Sequence, residues 1–228
     1  YLVHLVLKIR IMKRSTYLFP AVLITSVLFF TTCKKKAAES TTDENGQSVS
    51  DTRGVVGEND AATSDVNDQI SNQSKMLGKG VDASAMSGGT GTICGLSVDT
   101  TGISTGSVTF NYDGTTCNNR TRTGKIKVSI LDYSKGKRWK DVGTTVRVEY
   151  VNYKVVRASD GTSILLNGVQ HMENVSGGHW WEVYGLIPTK TSIIHSVITV
   201  STITASFEDN SSATFNINRK VTYSYPNK

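Results

Sequence analysis

Three cysteines, three prolines and four histidines in 228 residues leave several familiar architectures without their raw material. So few cysteines exclude a disulfide-dense miniprotein, and so little proline excludes a collagen-like rod. The composition also excludes a long coiled coil. Only one apolar run approaches the ~20 residues of a spanning helix, which removes a multi-span membrane protein. The length is that of one or two domains and suffices for a real core.

The net charge of +6 dissolves when the charges are placed. Lys8, Arg10, Lys13 and Arg14 precede the apolar run, so the chain from Cys33 onward balances at only +2. Residues 37–82 hold nine acids against three bases, whereas residues 83–228 hold ten acids against fifteen bases. That is the pattern of a solvated acidic stretch before a mildly basic domain, and no specific nucleic-acid partner is expected.

Met12-Lys13-Arg14 opens a basic stretch, and an apolar run from Tyr17 to Phe30 follows. It ends in Thr31-Thr32-Cys33-Lys34-Lys35-Lys36. The run is short for a span and flanked by charge, as in a secretory signal. With a cysteine at its end it resembles a bacterial lipoprotein signal, and the lysines after Cys33 resemble those of Bacteroidetes lipoproteins. The resemblance implies a signal peptide removed up to residue 32 and acyl chains, palmitate among them, on Cys33. It also implies a membrane partner through that anchor, at the outer membrane. The alternative is an uncleaved N-terminal anchor with an unmodified thiol. Residues 1–11 are expected to be an over-extended reading frame ahead of Met12.

Residues 33–59 read as a flexible polar tether, because 37–60 have no aromatic side chain and too little apolar surface to offset ordering entropy. Residues 60–78 read as one short helix, with Ala62, Val66, Ile70 and Leu77 near i, i+4 spacing and Gly78 to end it. Residues 79–96, with Gly88-Gly89-Thr90-Gly91, read as a loop. From residue 97 to 228 the period becomes two. Val108, Phe110 and Tyr112 alternate with polar residues, as do Ile126, Val128 and Ile130, and then Ala213, Phe215, Ile217, Val221 and Tyr223, with Arg219 the one exception on that apolar side. Further strands are expected over Thr144–Val156, Thr162–Val175, His179–Ile187 and Ser192–Glu208. Short turns between about seven or eight strands predict an all-β antiparallel meander: a sandwich, a strongly curved sheet or a partly open barrel.

Cys94 and Cys117 remain as an even pair, and in an exported chain they are expected to form a disulfide joining the glycine-rich loop to a turn over Asp113–Cys117. Two free thiols are the alternative. The run Gly114–Ile126, with Val151-Asn152-Tyr153 and Arg219–Tyr223, resembles uncharacterised β-rich lipoproteins of the same lineage from about Ile93 to the end. That resemblance implies a fold and an address but carries no activity.

The chemistry-bearing motifs are few. Gly102-Ile103-Ser104-Thr105-Gly106 has the letters of a nucleophile elbow, but a strand is expected after it where the elbow needs a helix. The glycine-rich stretch lacks the Lys-Ser/Thr ending of a phosphate loop. His171, His179 and His195 have no metal-binding spacing, so no metal or cofactor is expected, and no catalytic residue is assigned. Two features stand out. Arg120, Arg122, Lys125, Lys127, Lys135, Lys137, Arg138 and Lys140 form a candidate anion patch, against the alternative of a solvated face that discourages edge pairing. Trp180, Trp181 and Tyr184, on one expected strand, would put adjacent tryptophans on opposite faces and offer one to a sugar ring. The expectation is a lipid-anchored, non-catalytic structural or binding module, its periplasmic face slightly favoured over the cell surface. The alternative is a glycan-binding or glycan-processing envelope protein, so polysaccharide or an envelope protein is the expected partner.

Overall fold

A computed structural model describes residues 44–78, 93–184 and 188–224. The signal segment, Cys33 and most of the loop expected over 79–96 lie outside the described residues. The elements are helices α1 (Glu44–Ser71) and α2 (Ser74–Leu77), then strands β1 (Leu96–Asp99), β2 (Ser107–Cys117), β3 (Arg120–Ile130), β4 (Thr144–Arg157) and β5 (Ser163–Asn174). A single helical turn α3 (Trp181–Tyr184) precedes β6 (Ser192–Phe207), β7 (Ser212–Phe215) and β8 (Asn218–Ser224).

All eight strands belong to one antiparallel sheet that does not close, in the order β1 to β7, with β8 also paired to β6. The meander follows from the period-two pattern: Val108, Phe110, Tyr112, Ile126, Val128 and Ile130 are all buried, on one face. The architecture is therefore a curved single sheet and not a two-sheet sandwich. The expected turn at Asp113–Cys117 is instead the end of β2; the reversal is made by Asn118 and Asn119, with φ 49° and 65°. Two successive left-handed residues are the geometry of a tight hairpin, and asparagine tolerates it better than most residues.

A line of irregularities bends the sheet. Register shifts fall between Thr123 and Lys125, between Tyr150 and Tyr153, and between Asn167 and Gln170. They lie against one another across β3, β4, β5 and β6, and the gap between β7 and β8 continues the line, where the Thr199 amide donates to the Ile217 carbonyl at 2.8 Å. Bulges stacked in this way increase local twist and curl a sheet about one axis. Gly124 is required there: its φ is +91°, and a Cβ would stand 2.0 Å from the Asn152 carbonyl oxygen.

Helix α1 fills the concave face. It begins at Glu44, so the tether expected over 33–59 gives way to helix well before Asp60. Composition does not disclose this helix because α1 is held by polar contacts as much as by apolar ones. Its inward stripe mixes Val55, Ala62, Val66 and Ile70 with Glu58, Asn59, Thr63 and Asn67, all buried. The Asn59 amide donates to the Tyr150 hydroxyl (3.0 Å) and to Gln170 Oε1 (2.9 Å), and Gln170 Nε2 donates to Thr63 Oγ1 (3.1 Å). The Trp139 indole donates to Asn67 Oδ1 at 3.1 Å. Burial of each aliphatic side chain contributes about 1.5–3 kcal/mol as an upper figure, and the satisfied polar groups fix the helix at one position on the sheet. The helix expected to run to Leu77 is interrupted at Asn72-Gln73, and Gly78 (φ 112°) ends α2 as the sequence indicated.

Candidate functional site

The stretch expected as a strand over His179–Ile187 folds differently; residues 185–187 lie outside the described residues. Gly177 and Gly178, with φ 65° and 88°, turn the chain after β5, and the Gly178 amide donates to the Lys140 carbonyl at 2.7 Å. The His179 amide then donates to Glu182 Oε1 (3.2 Å) while the Glu182 amide donates back to the His179 carbonyl (2.9 Å). The first is the glutamate half of a capping box and the second is the backbone bond of a tight turn, and together they start a helical turn instead of a strand. Two glycines followed four residues later by glutamate carry that signal in the sequence.

Helical geometry changes what the aromatics can do. Trp181 stacks on the His179 ring at 4.2 Å and packs on the core, half-buried. Trp180 meets Trp181 edge-on at 5.8 Å and is half-buried like it but does not pack on the core, and Tyr184 is 42% exposed. The surface pair is therefore Trp180 with Tyr184, whose amide donates to the Trp180 carbonyl at 3.0 Å, one helical turn apart.

Behind this turn lies a buried polar group that periodicity did not single out. Thr144, Asn174 and His195 are register partners across β4, β5 and β6, and Asn174 Nδ2 donates to the Gly178 carbonyl (2.9 Å), next to His179. His195 packs against Trp139 (5.0 Å) and Tyr223 (5.1 Å). Neither nitrogen of His179 or of His195 has a hydrogen-bond partner among the described residues. Burial, aided by Lys140, Lys190 and His195, lowers His179 to about 3, and burial lowers His195 to about 4. Both are neutral and enclosed at pH 7, and among the described residues no carboxylate bonds to either ring to orient it as a general base. His171 lies on the half-exposed outer side of β5, apart from them.

The candidate anion patch is dispersed. Arg120 and Arg122 turn inward to acids of α1: Arg120 pairs with Glu58 at 3.3 Å, and Arg122 with Asp65 at 2.9 Å, beside the Tyr112 hydroxyl, which donates to Asp65 at 3.0 Å. Lys125 and Lys127 are exposed on the opposite face of β3. Lys135, Lys137, Arg138 and Lys140 lie beyond the far end of β3, where Lys135 pairs with Asp132 (3.0 Å), Lys137 donates to the Val142 carbonyl (3.1 Å) and Arg138 covers the Tyr133 ring at 3.9 Å. Ser104 is exposed on a short 3-10 turn (Ile103–Thr105) that leads into β2, so no helix follows it.

Two clefts open at the end of the sheet where β3 begins. One, of about 340 Å³, lies between α1 and the β3–β4 pair, lined by Arg53, Gly54, Gly57, Glu58, Arg120 and Arg157. The other, of about 550 Å³, lies beside the Cys94–Cys117 disulfide, whose Cα atoms are 6.2 Å apart, and extends to Arg122. Among the described residues no group of three or more histidines, cysteines and acids could hold a metal ion, and no helix is long and apolar enough to cross a membrane. Comparison with known protein families, with curated proteins and with solved structures gave no match.

Proposed function

We propose that this chain is an exported, lipid-anchored, non-catalytic binding or structural module held at the outer membrane, on its periplasmic face. The observation that carries the reading is the junction Thr31-Thr32-Cys33-Lys34, with a cysteine where the apolar run stops. The Cys94–Cys117 disulfide supports it, because such bonds persist in oxidising compartments. The filled concave face supports the non-catalytic part: α1 occupies the trough in which a curved sheet would otherwise enclose a substrate. Two or more acyl chains on Cys33 would anchor the module stably where one would be marginal. Cells fed radiolabelled palmitate test the reading. Label on the wild-type chain and none on Cys33→Ser, with the variant moving to the aqueous fraction, is the expected result; an unlabelled, freely soluble wild-type chain would refute it.

A second reading, polysaccharide binding, is favoured by half-buried Trp180 standing one helical turn from exposed Tyr184. Ring stacking on a sugar needs an accessible aromatic face beside a polar rim. On a glycan array, Trp180→Ala should abolish binding with the melting temperature unchanged, whereas Trp181→Ala should lower the melting temperature. Absence of binding to any polysaccharide leaves the structural role.

A further inference from the structure

We infer that the groove between α1 and the β3–β4 pair, floored by Gly54 and Gly57 and walled by Arg53, Arg120 and Arg157, binds a phosphate ester. The inference goes beyond membrane anchoring and does not depend on it.

The geometry begins with α1. Ser50, Arg53, Gly54, Gly57 and Glu58 have the i, i+3, i+4, i+7, i+8 spacing of one helix face, and that face lines the groove. Glycine inside a helix is less stable than alanine and persists when something else requires it. Packing accounts for Gly54, where a Cβ would come within 3.0 Å of Ile164 Cδ1. It does not account for Gly57, whose Cβ would meet nothing within 4 Å. The missing side chain leaves the groove open and its floor bare.

The walls carry an unusual charge arrangement. Arg120 and Arg157 are direct register partners on β3 and β4, and like charges placed opposite one another destabilise a sheet pair. Arg53 adds a third guanidinium from the helix and is exposed, with no ion pair among the described residues. Within the lining only Glu58 opposes them, paired with Arg120 at 3.3 Å. Asp160 pairs with Arg157 at 2.9 Å from outside the lining, both half in solvent, and Asp51 and Glu208 line a smaller cleft of about 70 Å³ that adjoins the groove at Ser50, Gly54 and Arg157. Three guanidiniums against one carboxylate leave two positive charges in the lining, which match the dianion of a phosphate monoester. Guanidinium is also the side chain whose paired N–H donors fit phosphate oxygens two at a time. The groove, about 340 Å³, has room for the phosphate and a few attached carbons.

The phosphate can come from a soluble ester or from a lipid headgroup, and two probes separate these sources. The full chain in a non-ionic detergent is titrated calorimetrically with glycerol 3-phosphate. Sedimentation with phosphatidylcholine vesicles, with and without phosphatidic acid, whose headgroup is a phosphate monoester, reads the lipid source. The expected result is saturable binding of one or both probes, weakened by added salt. Arg53→Gln and Arg157→Gln should each weaken it about tenfold. Gly57→Leu should abolish it with the melting temperature unchanged or raised, since leucine is a better helix former than glycine. Lys220→Gln, exposed on β8, should leave it unaltered. Binding of glycerol 3-phosphate that responds to these variants assigns a soluble ligand; a response confined to phosphatidic acid vesicles assigns the headgroup. No binding of either probe, or binding indifferent to Arg53→Gln and Gly57→Leu, overturns the inference.

Discussion

Arg219 of β8 reaches Asn59 of α1 across 160 residues of sequence, its guanidinium donating to Oδ1 at 3.1 Å. The same guanidinium also pairs with Asp60. Arg219 is the residue that breaks the apolar side of the last strand, and the helix explains it: the inward face of the sheet meets a polar stripe, so an inward charge finds partners.

Removing Asn59 therefore strands several groups at once. Asn59→Ala takes a partner from Tyr150, Gln170 and Arg219. Buried donors and acceptors left unsatisfied cost about 1–3 kcal/mol each before relaxation. Urea unfolding should show a loss of at least ~2 kcal/mol; a loss under about 0.5 kcal/mol would mean that α1 is not seated as described.

The two enclosed histidines set an acid limit. Their folded values, about 3 for His179 and about 4 for His195, lie below the ordinary 6.5. A depressed imidazole favours the folded state only while it is neutral, so its contribution is complete above about pH 6.5 and declines as pH falls toward 4. Urea midpoints should be flat above pH 7 and fall through this window. In a His179→Phe, His195→Phe double variant that part of the slope should vanish; an unchanged slope would assign it elsewhere.

The disulfide ties the chain just before β1 to the last residue of β2, with a sequence separation of 23. A loop of that size corresponds to about 3 kcal/mol in the chain-entropy account. Paired Cys94→Ser and Cys117→Ser substitutions should lower stability by roughly that amount, and reductant should reproduce the effect in the wild type alone.

Gly124 marks the bulge at which β3 meets β4. An alanine there would carry a side chain into the Asn152 carbonyl at an unfavourable positive φ. Gly124→Ala should cost more than about 2 kcal/mol, whereas Lys125→Ala, one residue on and exposed on the outer face, should stay within about 0.5 kcal/mol.

What the sequence disclosed follows from which forces leave a local trace. Alternation exposed the sheet because Phe110, Ile126 and Val128 face one core, and each strand shows its pattern without its neighbours. The start of α1 left little trace, since Asn59 and Thr63 are stabilised by Tyr150 and Gln170, whose proximity no local window contains. Trp180 and Trp181 stood out by type, but their arrangement depended on Gly177-Gly178 and Glu182, a turn signal outweighed by β-favouring aromatics. The basic residues looked continuous because they are near in sequence. Alternation along β3 then sent Arg120 and Arg122 to one face and Lys125 and Lys127 to the other. Arg53 and Arg157, far apart in the chain, were invisible as neighbours of Arg120.

The pairing of β6 with β5 along one edge, and with β7 and then β8 along the other, bears on the order in which the molecule can be completed. A nascent polypeptide that has not yet reached β8 leaves one edge of the first half of β6 unpaired and Asp60 without Arg219. Loss of β8 would remove from the N-terminal helix its partner Arg219, which reaches it from the far edge of the sheet.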